Sequence, residues 1–220
     1  METFTAANLT LAVVAVLRIL GIDPGTVVVG FGCLELTTGG VAMPRLPPLA
    51  LRASNAVQVA GGGELRFVTA GTIRLGRRGD TVAERLHVLA QRLGELLDRL
   101  APYEVALEEA FCGKSVQSAL RIGEARGVVM AESGRRRLVV HEYSPARIKR
   151  CVAGSGVAAK ATVAVMLAHL LPGAAQCTES LPADASDALA VALTRAEERR
   201  SPLLSPLLTR ADGCSARGPH

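Results

Sequence analysis

Four carboxylates stand where chemistry is easily built. Asp23 closes the apolar run Leu17-Arg18-Ile19-Leu20-Gly21-Ile22 and is followed at once by Pro24-Gly25-Thr26. An acid at the end of a buried strand loses hydration and needs a cation, hydrogen-bond donors or a ligand in return. Capping the Pro-Gly turn through its own backbone amides is an equally open role at this point. Glu108 ends a second run, Tyr103-Glu104-Val105-Ala106-Leu107, and Asp184 and Asp187 open a helix at Pro182-Ala183-Asp184-Ala185-Ser186-Asp187. A spacing of three places the latter pair on one helix face, about 5–6 Å apart at Cβ. Their ordinary role there is to cap the helix and complement its dipole. If the two strands are neighbours and the helix lies beside them, all four acids converge. Such a cluster repels itself unless divalent cations neutralise it, and an all-oxygen set suits Mg2+ or Mn2+. Two such ions clamp the attacking and leaving oxygens of an in-line phosphodiester displacement.

A basic tract lies between Glu108 and the acid pair: Arg135-Arg136-Arg137, His141, Arg147, Lys149, Arg150 and Lys160. It reads either as a solvated face or as a track for a phosphate backbone. The formal charge is +5, and only Lys114, Lys149 and Lys160 are lysines, so the positive side is nearly all arginine, the better partner for bidentate phosphate contacts. Phe111, one of six aromatics, sits three residues after Glu108 and serves either core packing or stacking on an unpaired base. The five cysteines (33, 112, 151, 177, 214) are scattered and lack CxxC spacing, which argues against a disulfide frame or a zinc site and fits a reduced, cytoplasmic protein.

The elements that must position these residues follow from periodicity. Strands are expected at Leu17–Asp23, Val27–Leu36, Arg66–Leu75, Tyr103–Leu107 and Leu138–Val140. Helices are expected over 80–100, with Asp80 and Thr81 as cap candidates, over 115–133, after Ser144-Pro145, over 157–171 and from Pro182 to Leu193. Three strands followed by alternating helices and strands imply an α/β domain with a mixed sheet flanked by helices. Its expected bounds are 18–200, with an N-terminal extension over 1–17, a Pro/Gly-rich insertion over 37–63 and a disordered tail over 201–220. The apolar stretch Leu9–Val16 is too short to span a bilayer and lacks the basic start of a signal peptide.

In these residues the chain resembles the RuvC-type Holliday-junction resolvases. The resemblance lies in Ile19-Leu20-Gly21-Ile22-Asp23-Pro24-Gly25, Ala106-Leu107-Glu108-Glu109-Ala110-Phe111, Lys114, Ser118-Ala119-Leu120 and Ala125-Arg126-Gly127-Val128. It continues through Ser144-Pro145-Ala146-Arg147-Ile148-Lys149, Gly154-Ser155-Gly156, Lys160 and Ala183-Asp184-Ala185-Ser186-Asp187-Ala188-Leu189-Ala190, covering 18–198 apart from the insertion. It implies a ribonuclease-H-like fold with a five-stranded mixed sheet, a symmetric homodimer formed through 115–133, and Mg2+-dependent paired nicking of four-way DNA junctions. It further implies that Asp23, Glu108, Asp184 and Asp187 bind the metal, two ions per subunit, with Mn2+ able to substitute. Phe111, Lys114, Arg147, Lys149 and Lys160 are the implied DNA contacts, and a branch-migration complex of the RuvA/RuvB type is the implied partner.

The chain departs from the family pattern in the insertion, in both extensions and at Val27, where many relatives are basic or polar. Two other readings stay open on sequence grounds. A related ribonuclease-H-like nuclease acting on RNA shares the acids. An actin-like or sugar-kinase-like phosphotransferase also opens with a strand, Asp, Gly and Thr, but needs a second half with its own phosphate loop.

Overall fold

The computed structural model describes residues 15–38, 63–77, 79–110, 116–171 and 181–200. Five strands form one sheet: β1 (Ala15–Asp23), β2 (Val28–Thr38), β3 (Glu64–Arg74), β4 (Glu104–Glu108) and β5 (Val139–Tyr143), in the order β3-β2-β1-β4-β5. The first three form an antiparallel meander, and β4 and β5 then add in parallel beside β1. Parallel neighbours need crossovers. These are α1 (Val82–Leu100) before β4 and α2 (Val116–Arg135) before β5; α3 (Pro145–Ala153), α4 (Lys160–Leu170) and α5 (Ala183–Arg200) follow.

Both faces of the sheet are covered, so the central strands read as nearly continuous apolar runs. Leu20, Ile22, Val105 and Leu107 pack under α1 and α2 against Leu89, Leu93, Leu97 and Val129. Their neighbours Ile19 and Ala106 point the other way, into α3, α4 and α5, against Ile148, Val152, Leu167, Leu189 and Leu193. Local signals work as the sequence predicts. Thr81 caps α1 in a reciprocal capping box with Glu84. Ser144 caps α3 ahead of Pro145, and Gly154 ends that helix with φ +73°. No helix among the described residues is long and apolar enough to cross a membrane.

Some boundaries differ from expectation. β5 continues to Tyr143 and α5 to Arg200, although both continuations are polar. They stay ordered because the polar groups face one another: His141, Arg195 and Arg199 surround Glu104, and Tyr143 reaches Glu198. Ala15–Leu17 belong to β1, and Thr37 and Thr38 end β2, so the strands reach beyond the expected bounds of both the extension and the insertion. Helix α4 begins at Lys160, not at 157. Residues 1–14, the insertion's body (39–62), Phe111, Lys114 and the tail 201–220 lie outside the described residues.

Helix α5 rests directly on the backbone of β1 and β2. A Cβ added at Gly21 would stand 2.1 Å from the Ala188 carbonyl oxygen, and one at Gly30 would stand 1.9 Å from that of Asp184. No rotamer relieves a clash with backbone, so the helix must move. Gly30→Ala is expected to destabilise the fold by roughly 2–4 kcal/mol. Because it displaces the turn carrying Asp184, it should also lower activity per folded molecule, read by cleavage assays normalised to the folded fraction.

Candidate active site

The sheet register builds the first half of the site. In the parallel pair β1–β4, Ile22 lies opposite Leu107, so Asp23 and Glu108 leave neighbouring strands side by side. Neighbouring strands lie about 4.8 Å apart. On the other side of β1, Asp23 pairs with Gly30, and the backbone of Asp184 rests on that glycine. One turn further along α5, Asp187 enters the same groove as Asp23 and Glu108, a cavity of about 290 Å³ at the ends of β1 and β4. Lys149 of α3 and Lys160 at the start of α4 line it too. Three separate elements thus supply the acids, and two more supply the cations.

The carboxylates are electrostatically frustrated. Burial pushes the Glu108 carboxyl up to about 8, helped by the charge of Asp23, by the hydrogen bond between the two side chains and by Asp187. Asp23 is raised as well, chiefly by burial and further by Asp187 and Asp184, while its hydrogen bond with Glu108 works the other way. The buried pair therefore favours holding a proton between its two carboxyls. Asp187 is neutralised differently: Lys160 Nζ lies 2.5 Å from its Oδ2, and this contact raises the lysine above its ordinary range.

Among the described residues no three acids, histidines or cysteines stand together as a ready-made metal cage. The chemistry of the donor set nevertheless fits a hard divalent cation. The donors are all carboxylate oxygens, and a divalent cation would relieve the repulsion that raises Asp23 and Glu108.

The other expected contacts divide. Lys149 and Lys160 face the groove. Arg147, expected on a DNA track, is instead turned inward: its guanidinium pairs with Glu198 of α5 and stacks 5.1 Å above the Tyr143 ring. Arg136 likewise bridges Asp98, Glu132 and the Gly94 carbonyl, tying α2 to α1. His141 lies 3.3 Å from Glu104. Glu104, 1% exposed, is the residue that sequence reasoning overlooked. It accepts bidentate bonds from Arg195 (2.9 and 3.0 Å) and Arg199 (2.6 and 2.7 Å). Burial alone would raise its carboxyl, but hydrogen bonds from Arg199, His141 and Arg195 hold it well below the usual carboxylate range. The one available signal was an acid interrupting the apolar β4 run, with two arginines four residues apart on the last helix. This network clamps α5 to β4, and the Arg147–Glu198 pair clamps α3 to α5, so it fixes the elements that carry Asp187 and Lys149.

A mixed sheet in this order, with acids at the ends of adjacent parallel strands and at the start of the helix crossing them, defines a nuclease of ribonuclease-H-like fold. A family model described as "Crossover junction endodeoxyribonuclease RuvC" matches residues 47–195, a stretch that contains Glu108, Asp184 and Asp187 but begins beyond Asp23. The chain belongs to the RuvC crossover junction endodeoxyribonuclease family. It is 37% identical to the member from Methylocella silvestris, over 85% of this chain and 90% of that one. With the member from Halorhodospira halophila the identity is 39%, over 84% and 93%. Among solved structures, T. thermophilus RuvC in complex with Holliday junction substrate superposes with a TM-score of 0.64 at 27% identity, covering 84% of this chain and 96% of that one.

Proposed function

We propose that this crossover junction endodeoxyribonuclease resolves four-way DNA junctions by paired nicks, with Asp23, Glu108, Asp184 and Asp187 as the ligands of two Mg2+ ions per subunit. Mn2+ is expected to substitute. The observation that carries the reading is the convergence of Asp23, Glu108 and Asp187 with two lysines in one groove, at the ends of neighbouring parallel strands. When bound, the ions supply Lewis-acid stabilisation of the oxygens of an in-line displacement. The protein's own part is positional. Asp23 and Glu108 are held on core strands whose spacing cannot drift, so the ligands need little reorganisation. Glu108 and Asp187 would hold the ions as carboxylates, and Lys149 and Lys160, which line the same groove, would meet the phosphate. Arg147 acts from behind, by holding α3, and does not touch DNA.

Two nicks in like-oriented strands need two sites related by a two-fold axis, hence a homodimer. Two exposed apolar side chains one turn apart on α2 support this, Val116 at 74% and Leu120 at 65% accessible. Phe111 and Lys114 fall in the segment between Glu108 and α2, and we assign them to stacking and phosphate contact at the junction. A branch-migration complex is the proposed partner and the cytoplasm the proposed compartment. The decisive experiment offers the protein a synthetic four-way junction, a plain duplex and an RNA–DNA hybrid with Mg2+. Symmetric cutting confined to the junction is expected; cutting of the hybrid in its place overturns the assignment in favour of an RNA-processing relative.

A further inference from the structure

A second groove, larger than the catalytic one at about 590 Å³, lies between α1 and the outer strand β3. Three exposed arginines, Arg74, Arg92 and Arg99, line it, together with Phe31, Thr72 and a single acid, Glu95. Among the described residues none of the three guanidinia has an ion pair or hydrogen bond. Other described arginines, among them Arg18, Arg121, Arg126, Arg135, Arg136 and Arg195, are paired with carboxylates. Arg99, in the last turn of α1, complements the helix dipole. That accounts for one cation but not for three around one cavity.

The groove's position is informative. Thr72 pairs with Gly30, which pairs with Asp23, so the strand side of the groove at Thr72 lies two strand spacings, about 10 Å, from the catalytic aspartate, while its helix side extends along α1 to Arg99, beside the Leu100 carbonyl that accepts from Arg18. Alternation along β2 turns Phe31 to the face opposite Gly30 and α5, so the groove opens round the strand ends from the acids. A duplex whose major groove alone is about 12 Å wide covers that distance while seated at the acids.

We infer that this arginine groove is a second phosphate-backbone site, which holds a duplex arm of the junction beyond the point of cutting. The inference rests on the proposed function. Guanidinia without carboxylate partners suit phosphate, and each such contact adds about 0.9 to the slope of log affinity against log salt.

The test is the salt dependence of binding by the full chain to long-armed and short-armed junctions, in Ca2+ or without metal so that nothing is cut. Arg92→Glu/Arg99→Glu is expected to lower the slope by about 2 on the long-armed junction only. Arg92→Lys/Arg99→Lys, which keeps the charge, should stay close to the parent. An unchanged slope overturns the inference and leaves an acidic protein segment as the better occupant. Equal losses on both junctions overturn it as well, because the contacts would then lie at the branch point. So does an equal loss in the lysine variant, which would report damage to α1. Arg74→Gln provides a separate check from the strand side of the groove, with an expected drop of about 1. Junction cutting by the unaltered protein tests the function itself, so the two failures remain distinguishable.

Discussion

Glu108→Gln is expected to be nearly inactive and, without metal, more stable than the parent. The two effects have one cause. In the metal-free fold Glu108 is held at about 8 by burial and by the neighbouring Asp23 charge, so ionising it opposes folding. A carboxyl raised in the folded state contributes stability that is full below its unfolded value, about 4.5, and is lost as pH rises through about 8. Glutamine imitates the protonated carboxyl, donates to Asp23 as that carboxyl does, and never ionises. At pH 8 in EDTA, its melting temperature should therefore exceed the parent's by the equivalent of about 1–2 kcal/mol, a figure discounted for the half-exposed position of the groove. The difference should vanish near pH 4.5. In Mg2+ the order should reverse, because the parent gains stability from the ions and the variant has lost a ligand. Cleavage should fall at least about a hundredfold, since each metal-held charge is worth several kcal/mol in the displacement. Thermal melts across pH with and without metal, alongside junction cutting, read all of this. A variant that is no more stable at pH 8 would show that the acids do not repel one another as the geometry requires.

Glu104→Ala is expected to be the most damaging change outside the catalytic acids. Removing this side chain strands Arg195 and Arg199, whose side chains are 16% and 10% exposed, without the carboxylate that both grip bidentately. Breaking a buried pair from one side costs about 3–5 kcal/mol, because the remaining charge is desolvated and unmatched. For a domain of this size that is a fall of roughly 10 °C in melting temperature. The pH dependence has the opposite sign to that of Glu108. The Glu104 carboxyl is lowered in the fold, so its contribution is present above its unfolded value, about 4.5, and is lost as pH falls through its folded one. The parent should therefore lose stability on acidification faster than Glu104→Ala does. Urea unfolding at pH 7 and near pH 3 checks the sign. The nearby Tyr143 phenol, which donates to Glu198 at 2.5 Å, is pushed up to about 12 by burial and stays protonated throughout.

Much of this protein was legible in the order of its residues. The strand-end positions of Asp23 and Glu108, the caps at Thr81 and Ser144 and the apolar runs of β1 and β4 are local or periodic features. Alternation and cap chemistry act within a few residues, so they can be read from a few residues. The same holds for the motif series that placed the chain beside junction resolvases. What could not be read locally is which polar groups are buried together. Arg147 and Arg136 looked like members of a basic track because their immediate neighbours are basic. Arg147 pairs with Glu198, 51 positions away, and Arg136, besides its neighbour Glu132, with Asp98, 38 positions away. Glu104 looked like an ordinary acid beside Tyr103, until the parallel crossover brought β4 under α5 and its arginines. The ends of β5 and α5 were misjudged for the same reason: polar residues there are interior because they satisfy one another, and hydropathy cannot show that.

The opening aspartate illustrates the division. By itself the sequence determined that an acid ends a rigid apolar strand and that three more wait at comparable places. Whether Asp23 caps a turn or joins a site depended on the register of β1 against β4 and on how closely α5 approaches Gly30. Both are set by contacts between residues more than eighty positions apart. Only the tertiary structure decided that Asp23 meets Glu108, that Lys160 stands on Asp187, and that Arg92 and Arg99 of α1 have no carboxylate partner among the described residues. Charge and hydrogen bonding are short-ranged in space and indifferent to chain distance, so their pairings appear only once the fold has closed.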